Sequence, residues 1–110
     1  MNNIFPDIIT KLPQANIPFK GIKGWILQGE GQQMVFMEIE AIGKVDEHTH
    51  GAQWGMVVEG EMKLTIAGHA RTYRKGDSYS IPAGTPHSAE FITKTWVVDY
   101  FDEKNRYNIK

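Results

Sequence analysis

Residues 32 to 41, QQMVFMEIEA, place Val35, Met37, Ile39 and Ala41 on one parity, with Met34 and Phe36 and then Glu38 and Glu40 on the other. Side chains two positions apart share one face of a strand, so this alternation predicts a strand with one apolar face. Its second face turns from apolar to charged, which predicts partial burial at an interface. Residues 61 to 67 set Met62, Leu64 and Ile66 against Lys63, Thr65 and Ala67, the pattern of a half-buried strand. Residues 95 to 101 set Trp96, Val98 and Tyr100 against Val97, Asp99 and Phe101. Shorter strands are expected at Trp25–Gln28, around Met56–Val58, at Tyr79 and Ile81, and over Ser88–Ile92. The punctuation between them is turn chemistry: Gly29–Gly31, Glu59-Gly60-Glu61, Gly68-His69, Gly76-Asp77, Pro82–Pro86 and Thr93-Lys94. Many short strands separated by tight turns predict an all-β domain over residues 23–110.

Residues 1–22 read differently. Pro6, Pro13 and Pro18 exclude a long helix, and Ile4, Phe5, Ile8, Ile9 and Leu12 make an apolar arm that needs a surface to lie on. It either covers its own barrel or pairs with the open sheet edge of a second subunit; the second is the expectation, and with it a homodimer.

Composition narrows the class. A chain of 110 residues is one domain with one modest core. A formal net charge of −1 leaves no footprint for nucleic acid, and no apolar run is long enough to cross a bilayer. The start, MNNIFPDIITK, lacks a basic region followed by an apolar stretch, so no secretory signal is expected and the cytoplasm is the expected location. The absence of cysteine excludes disulfides, thiolate metal sites and cysteine nucleophiles.

The candidate chemistry lies in His48–Gly60, HTHGAQWGMVVEG, and Gly76–His87, GDSYSIPAGTPH. His48 and His50 would share a face on a strand, and neutral imidazole suits Zn, Fe, Ni and Cu. His87 leaves a turn made rigid by two prolines, with the parity of Ala89 and Phe91, and so points into the core. A core histidine needs partners for its nitrogens, and a metal satisfies one of them. The fourth histidine, His69, sits at a turn and is assigned to the surface. Gly29-Glu30-Gly31 is followed by a strand, not a helix, so it is a hairpin turn and not a phosphate loop. Asp46 has the parity to support an imidazole from behind, but a solvated surface position is expected for it. Asp99 in an apolar strand is either a buried proton-transfer carboxylate or an outward-facing partner of the arm. Arg106, in the tail, either crosses the barrel mouth to meet an anionic substrate or lies in solvent.

Together these stretches resemble the two motifs of the cupin superfamily. Gly76, Pro82, Gly84 and His87 carry the spacing of the second motif, and His48, His50 and Gly60 that of the first. The family's usual glutamate is Gln53 here, and its frequent asparagine four residues after the last histidine is Phe91. The resemblance implies a cupin jelly-roll barrel with His48, His50, Gln53 and His87 as ligands of a divalent ion such as Zn, Fe, Ni or Mn. The set His, His, Gln, His, with Asp99, Phe101 and Arg106 behind it, is similar to that of small cupins that convert unsaturated uronates in pectin and alginate breakdown. Two positions differ from theirs: the spacing to the arginine is one residue longer, and Gly55 stands where a second glutamine is expected. The similarity implies a metal-dependent enzyme that isomerises or eliminates a small oxygenated acid, with Asp99, Phe101 and Arg106 as catalytic residues. An Fe(II) dioxygenase and a non-catalytic small-ligand module are the alternatives.

Overall fold

The computed structural model describes residues 4–110. Residues 1–3 of the expected arm lie outside the described residues. One helical turn, α1 (Asp7–Thr10), precedes nine strands: β1 (Ile22–Gln28), β2 (Gln33–Ile39), β3 (Gly43–His48), β4 (Gln53–Glu59), β5 (Glu61–Ile66), β6 (His69–Arg74), β7 (Ser78–Ile81), β8 (His87–Phe91) and β9 (Thr95–Phe101). They form an antiparallel five-stranded sheet, β1-β2-β9-β4-β7, and an antiparallel four-stranded sheet, β3-β8-β5-β6. Among the described residues no helix is long and apolar enough to cross a membrane.

The strands form where alternation demands it. In β2 the burial pattern alternates strictly, with Gln33, Val35, Met37 and Ile39 inward. β9 does the same with Thr95, Val97, Asp99 and Phe101. Val35, Val57, Val97, Ile26, Ile81 and Phe101 are almost fully enclosed, and with Met62 and Leu64 they join the two sheets in one core. Burying a side chain of this kind stabilises by about 1.5–3 kcal/mol.

Gly60 closes the β4–β5 hairpin with φ +87°, and a Cβ there would collide with the carbonyl of Lys94 and crowd Thr95. The same hairpin is held from outside by Thr95, whose hydroxyl donates to the Glu61 carbonyl at 3.0 Å.

Three strands differ from expectation. β1 begins at Ile22 rather than Trp25, because Ile22, Lys23 and Gly24 pair with Ile39, Glu38 and Met37. Residues 43–48 form a strand of their own, paired with β8 and interrupted by a register shift between Val45 and His48. His69 opens β6 rather than sitting in a turn; the turn is Ala67-Gly68, both at positive φ, and His69 is exposed as expected.

The arm lies on its own chain. Ala15 N–H donates to Gly24 at 2.8 Å, Ile26 N–H donates to Pro13 at 2.8 Å, and Gln14 bridges Trp25. Phe5 packs edge-on against Trp25 and Phe36.

Gly60→Ala is expected to destabilise the fold by more than about 1 kcal/mol, because strain and collision act together. Urea unfolding should show a lower midpoint with an unchanged slope; an unchanged midpoint would refute the account of this turn.

Candidate metal centre

β3, the loop after it and β8 bring three histidines together at one end of the barrel. His48 ends β3 and lies opposite His87, the first residue of β8. His50 is not on the strand; it stands in the loop that leads to β4. The expected period-two relation of His48 and His50 therefore fails, yet their rings still meet, with centroids 5.3 Å apart. The His87 ring is 4.3 Å from that of His48 and 4.6 Å from that of His50.

Each ring is anchored the same way. His48 Nδ1 lies 2.9 Å from the Asp46 carbonyl, His50 Nδ1 2.8 Å from the Gly51 carbonyl, and His87 Nδ1 2.9 Å from the Thr85 carbonyl. A carbonyl oxygen only accepts, so each Nδ1 carries the proton and each neutral ring offers Nε2 as a lone pair. The Nε2 atoms of His50 and His87 face each other at 3.0 Å. Two lone pairs at that distance repel unless a proton or a cation lies between them. A proton is disfavoured: burial, aided by the charge of Arg106 and the neighbouring imidazoles, pushes His50 down to about 4, and burial lowers His87 as well. The donor set fits a metal cation, and the three histidines have ligand atoms within 4.8 Å of one another. The support from Asp46 comes through its backbone; its side chain is exposed.

The imidazoles face a cavity of about 420 Å³, lined by Gln53, Asp99, Phe101, Arg106 and apolar residues of both sheets. Asp99 is buried and lines the cavity, which sets aside the outward-facing reading of it. Its Oδ1 accepts the Tyr79 hydroxyl at 2.6 Å, and Gln53 lines the same cavity. Of the Gln53 amide, only the carbonyl oxygen can serve a cation as a donor. Burial pushes Asp99 up to about 6, against the opposing pull of Tyr79, Gln53 and Arg106. Gly55, across the ladder from Asp99, leaves the space they use: a Cβ there would collide with the Asp99 carboxylate and the Tyr79 ring. Phe101 forms a wall, its ring edge-on to His50 at 5.4 Å.

Arg106 reaches the cavity because the tail is tied down. Buried Gln33 donates to the Tyr107 carbonyl at 2.8 Å and accepts the Tyr107 N–H at 3.0 Å. Asn16 N–H donates to Asn108, and Lys110 N–H to Gln14. The guanidinium lies 4.4 Å from the Tyr107 ring centre, and its buried Nε has no partner. The same tail carries Glu103, whose Oε2 accepts the Gly51 N–H at 2.7 Å and lies 3.7 Å from His50 Nδ1. Gln33 and Glu103 were not legible as functional. Gln33 shares the inward parity of Val35 and Met37, which is the one signal it gives.

The cupin-domain profile matches residues 33–101. The chain belongs to the cupin family. Among solved structures this cupin resembles KdgF from Halomonas sp., at 24% identity and a TM-score of 0.73, covering 84% of this chain and 88% of that one. An RmlC-like cupin from Shewanella frigidimarina gives 24% identity and a TM-score of 0.75, with 87% of each chain covered. Oxalate decarboxylase of Bacillus subtilis, as its W96Y variant, gives 19% identity and a TM-score of 0.73; 87% of this chain corresponds to 28% of that one. These likenesses speak for the fold. No curated protein matches the chain significantly in sequence.

Glu103→Ala should weaken binding of a divalent ion by about tenfold, the scale typical of groups that orient ligands, while Glu103→Gln, which keeps an acceptor, should retain most of it. Calorimetric titration of the two variants decides; equal affinity for wild type and Glu103→Ala would dismiss the role. Acid stability gives a second test. His50 is lower in the folded state than its usual 6.5, so the unfolded chain takes up the extra proton and stability falls between pH 6.5 and about 4. Asp99 is raised from 3.8 to about 6, so the folded chain takes up its proton first and stability is regained over that window as pH falls. Metal-free Asp99→Asn lacks that regain, and its melting temperature should drop more steeply than wild type from pH 6 to pH 4.

Proposed function

We propose that this cupin is a metal-dependent enzyme of the isomerase or lyase type that acts on a small oxygenated acid, with unsaturated uronates as the first substrates to try. The observation that supports it most is the sharing of one cavity by three convergent Nε2 atoms, a buried carboxylate and an arginine with an unpartnered nitrogen. His48, His50 and His87, with the Gln53 oxygen as fourth donor, would hold the ion. All four are neutral, so a divalent ion keeps its full charge and supplies Lewis-acid polarisation of a carbonyl or carboxylate oxygen.

The chain's own residues do the rest. Arg106 is the cation for the acid group of the substrate, held in place by stacking on Tyr107 and by the Gln33 clamp. Asp99, raised towards neutrality by burial, is suited to take a proton from carbon beside a carbonyl and return it elsewhere on the same molecule. Tyr79 holds its carboxylate in one orientation. Phe101 and the apolar wall, with Ile81, Val97 and Leu64, exclude water from the reacting carbons.

A second reading, an Fe(II) dioxygenase, draws on the same three-imidazole set; the ion-binding group contains no carboxylate, which separates it from the two-histidine, one-carboxylate oxygenases. Oxygen uptake dependent on Fe(II) would select that reading. Retention of a small ligand without turnover would select a binding module.

Asp99→Asn is expected to abolish turnover of unsaturated uronates with the metal content set by the three histidines retained, and Arg106→Ala to raise KM by at least about tenfold with a smaller effect on kcat. Steady-state assays beside metal analysis check both; full activity of Asp99→Asn would remove Asp99 from the mechanism.

A further inference from the structure

The register of the two sheets divides the cavity into two zones. At one end His48 pairs with His87 in the four-stranded sheet, and Gln53 with Phe101 in the five-stranded sheet, with Asp99 next along. Two or three residues further on, the chemistry changes. Val45 and Leu64 flank Ala89 in one sheet, and Met37 pairs with Val97 in the other. Beyond them the wall is Phe91, Ile39 and Ile22. None of these side chains carries a nitrogen or an oxygen. From His87 to Phe91 is four residues of β8, about 14 Å at ~3.4 Å per residue. Ala89, the smallest inward side chain of that strand, leaves the room in the middle. Phe19, 48% exposed, and half-buried Ile22 line the open end.

We propose that the acid accepted here carries a hydrocarbon arm, alkyl or aryl, on the side away from its carboxylate. This rests on the metal-dependent reading above for the acid end and adds what the far end must be; the hydroxylated uronates become the polar reference of the class. Charge sets the direction. Among the described residues Arg106 is the one lysine or arginine on the cavity wall, and it stands near Phe101 at the imidazole end. The exposed carboxylates of Asp46 and Glu47 lie on β3 between Val45 and His48, and they repel an acid group placed on that side. The carboxylate therefore turns to Arg106 and the rest of the molecule points towards Phe19. A hydroxyl on that arm would leave water for a wall that offers it no partner, which weakens binding. A methylene gains there, by about fourfold for each one buried. The cavity of about 420 Å³ holds roughly fourteen waters at ~30 Å³ each, and those in the apolar zone lack the polar partners that a buried water needs. Hydrocarbon is the filling that this zone favours.

Calorimetric titration of the full chain with Zn²⁺ present tests it. The probes are pyruvate, 2-oxobutanoate, 2-oxopentanoate and 2-oxohexanoate, with an unsaturated uronate beside them. Affinity should rise at least about threefold for each added methylene, and 2-oxohexanoate should bind more tightly than the uronate. Ala89→Leu fills the middle of the apolar zone and should cut the ratio of 2-oxohexanoate to pyruvate affinity at least about tenfold. Phe19→Ala should lower the same ratio about threefold; Phe19 is exposed, so this variant keeps the test open even if Ala89→Leu does not fold. Circular dichroism checks that the strands persist. A flat series, with pyruvate bound by wild type and lost in Arg106→Ala, overturns this inference and leaves the metal and arginine reading standing. A series in which no acid binds overturns both. Tighter binding of the uronate than of 2-oxohexanoate, or an unchanged ratio in the folded variants, also overturns it.

Discussion

The site depends on one small constraint, repeated three times: an imidazole Nδ1–H held by a backbone carbonyl within two residues of it. The carbonyls of Asp46, Gly51 and Thr85 fix the tautomer and the ring direction together, and the Nε2 lone pairs of His50 and His87 face each other at 3.0 Å. The repulsion between them is set up by the fold, and a cation placed between them would relieve it. Burial adds to this by making protonation a poor substitute. A backbone anchor of this kind also makes no demand on neighbouring side chains, which is why Asp46 can face solvent while its carbonyl does the orienting.

Around that centre the chain is held by contacts between its two ends and its middle. Gln33 grips Tyr107 from β2, Gln28 bonds to Lys104, and Glu103 reaches back to the loop that carries His50. The tail therefore does two jobs with neighbouring residues: it braces the loop of His50 through Glu103 and delivers a positive charge through Arg106. The same charge is felt by His50, His87 and Asp99, so the arginine takes part in tuning three of the groups that line the cavity.

The cupin barrel was legible because alternation is local. β2, β5 and β9 could be drawn from parity alone, and His87 could be placed by the Pro-Gly turn before it. Asp99 shares the parity of Val97 and Phe101, yet the sequence left its direction open, because a carboxylate in that place needs partners that parity does not name. That needed the register of β4 with both β7 and β9, which brings Gln53, Gly55 and Tyr79 to the carboxylate across non-local pairings. β3 escaped notice because GKVDEH has no apolar alternation, and the shift before His48 moves the histidines off a simple two-residue repeat. The Gln33–Tyr107 clamp joins residues 74 apart, and nothing in a single sequence marks such a pair.

The way Pro13–Ala15 lies along β1 has a consequence for how copies of this chain can aggregate. A bare outer strand is a template on which another molecule can zip its backbone, and the product has no natural end. Here the amide and carbonyl row that would start such a ribbon is already engaged within the same polypeptide, and the opposite margin of that sheet is the four-residue β7, too short to offer much purchase. Removing the first fifteen residues would therefore be expected to uncover the β1 margin for open-ended pairing between copies.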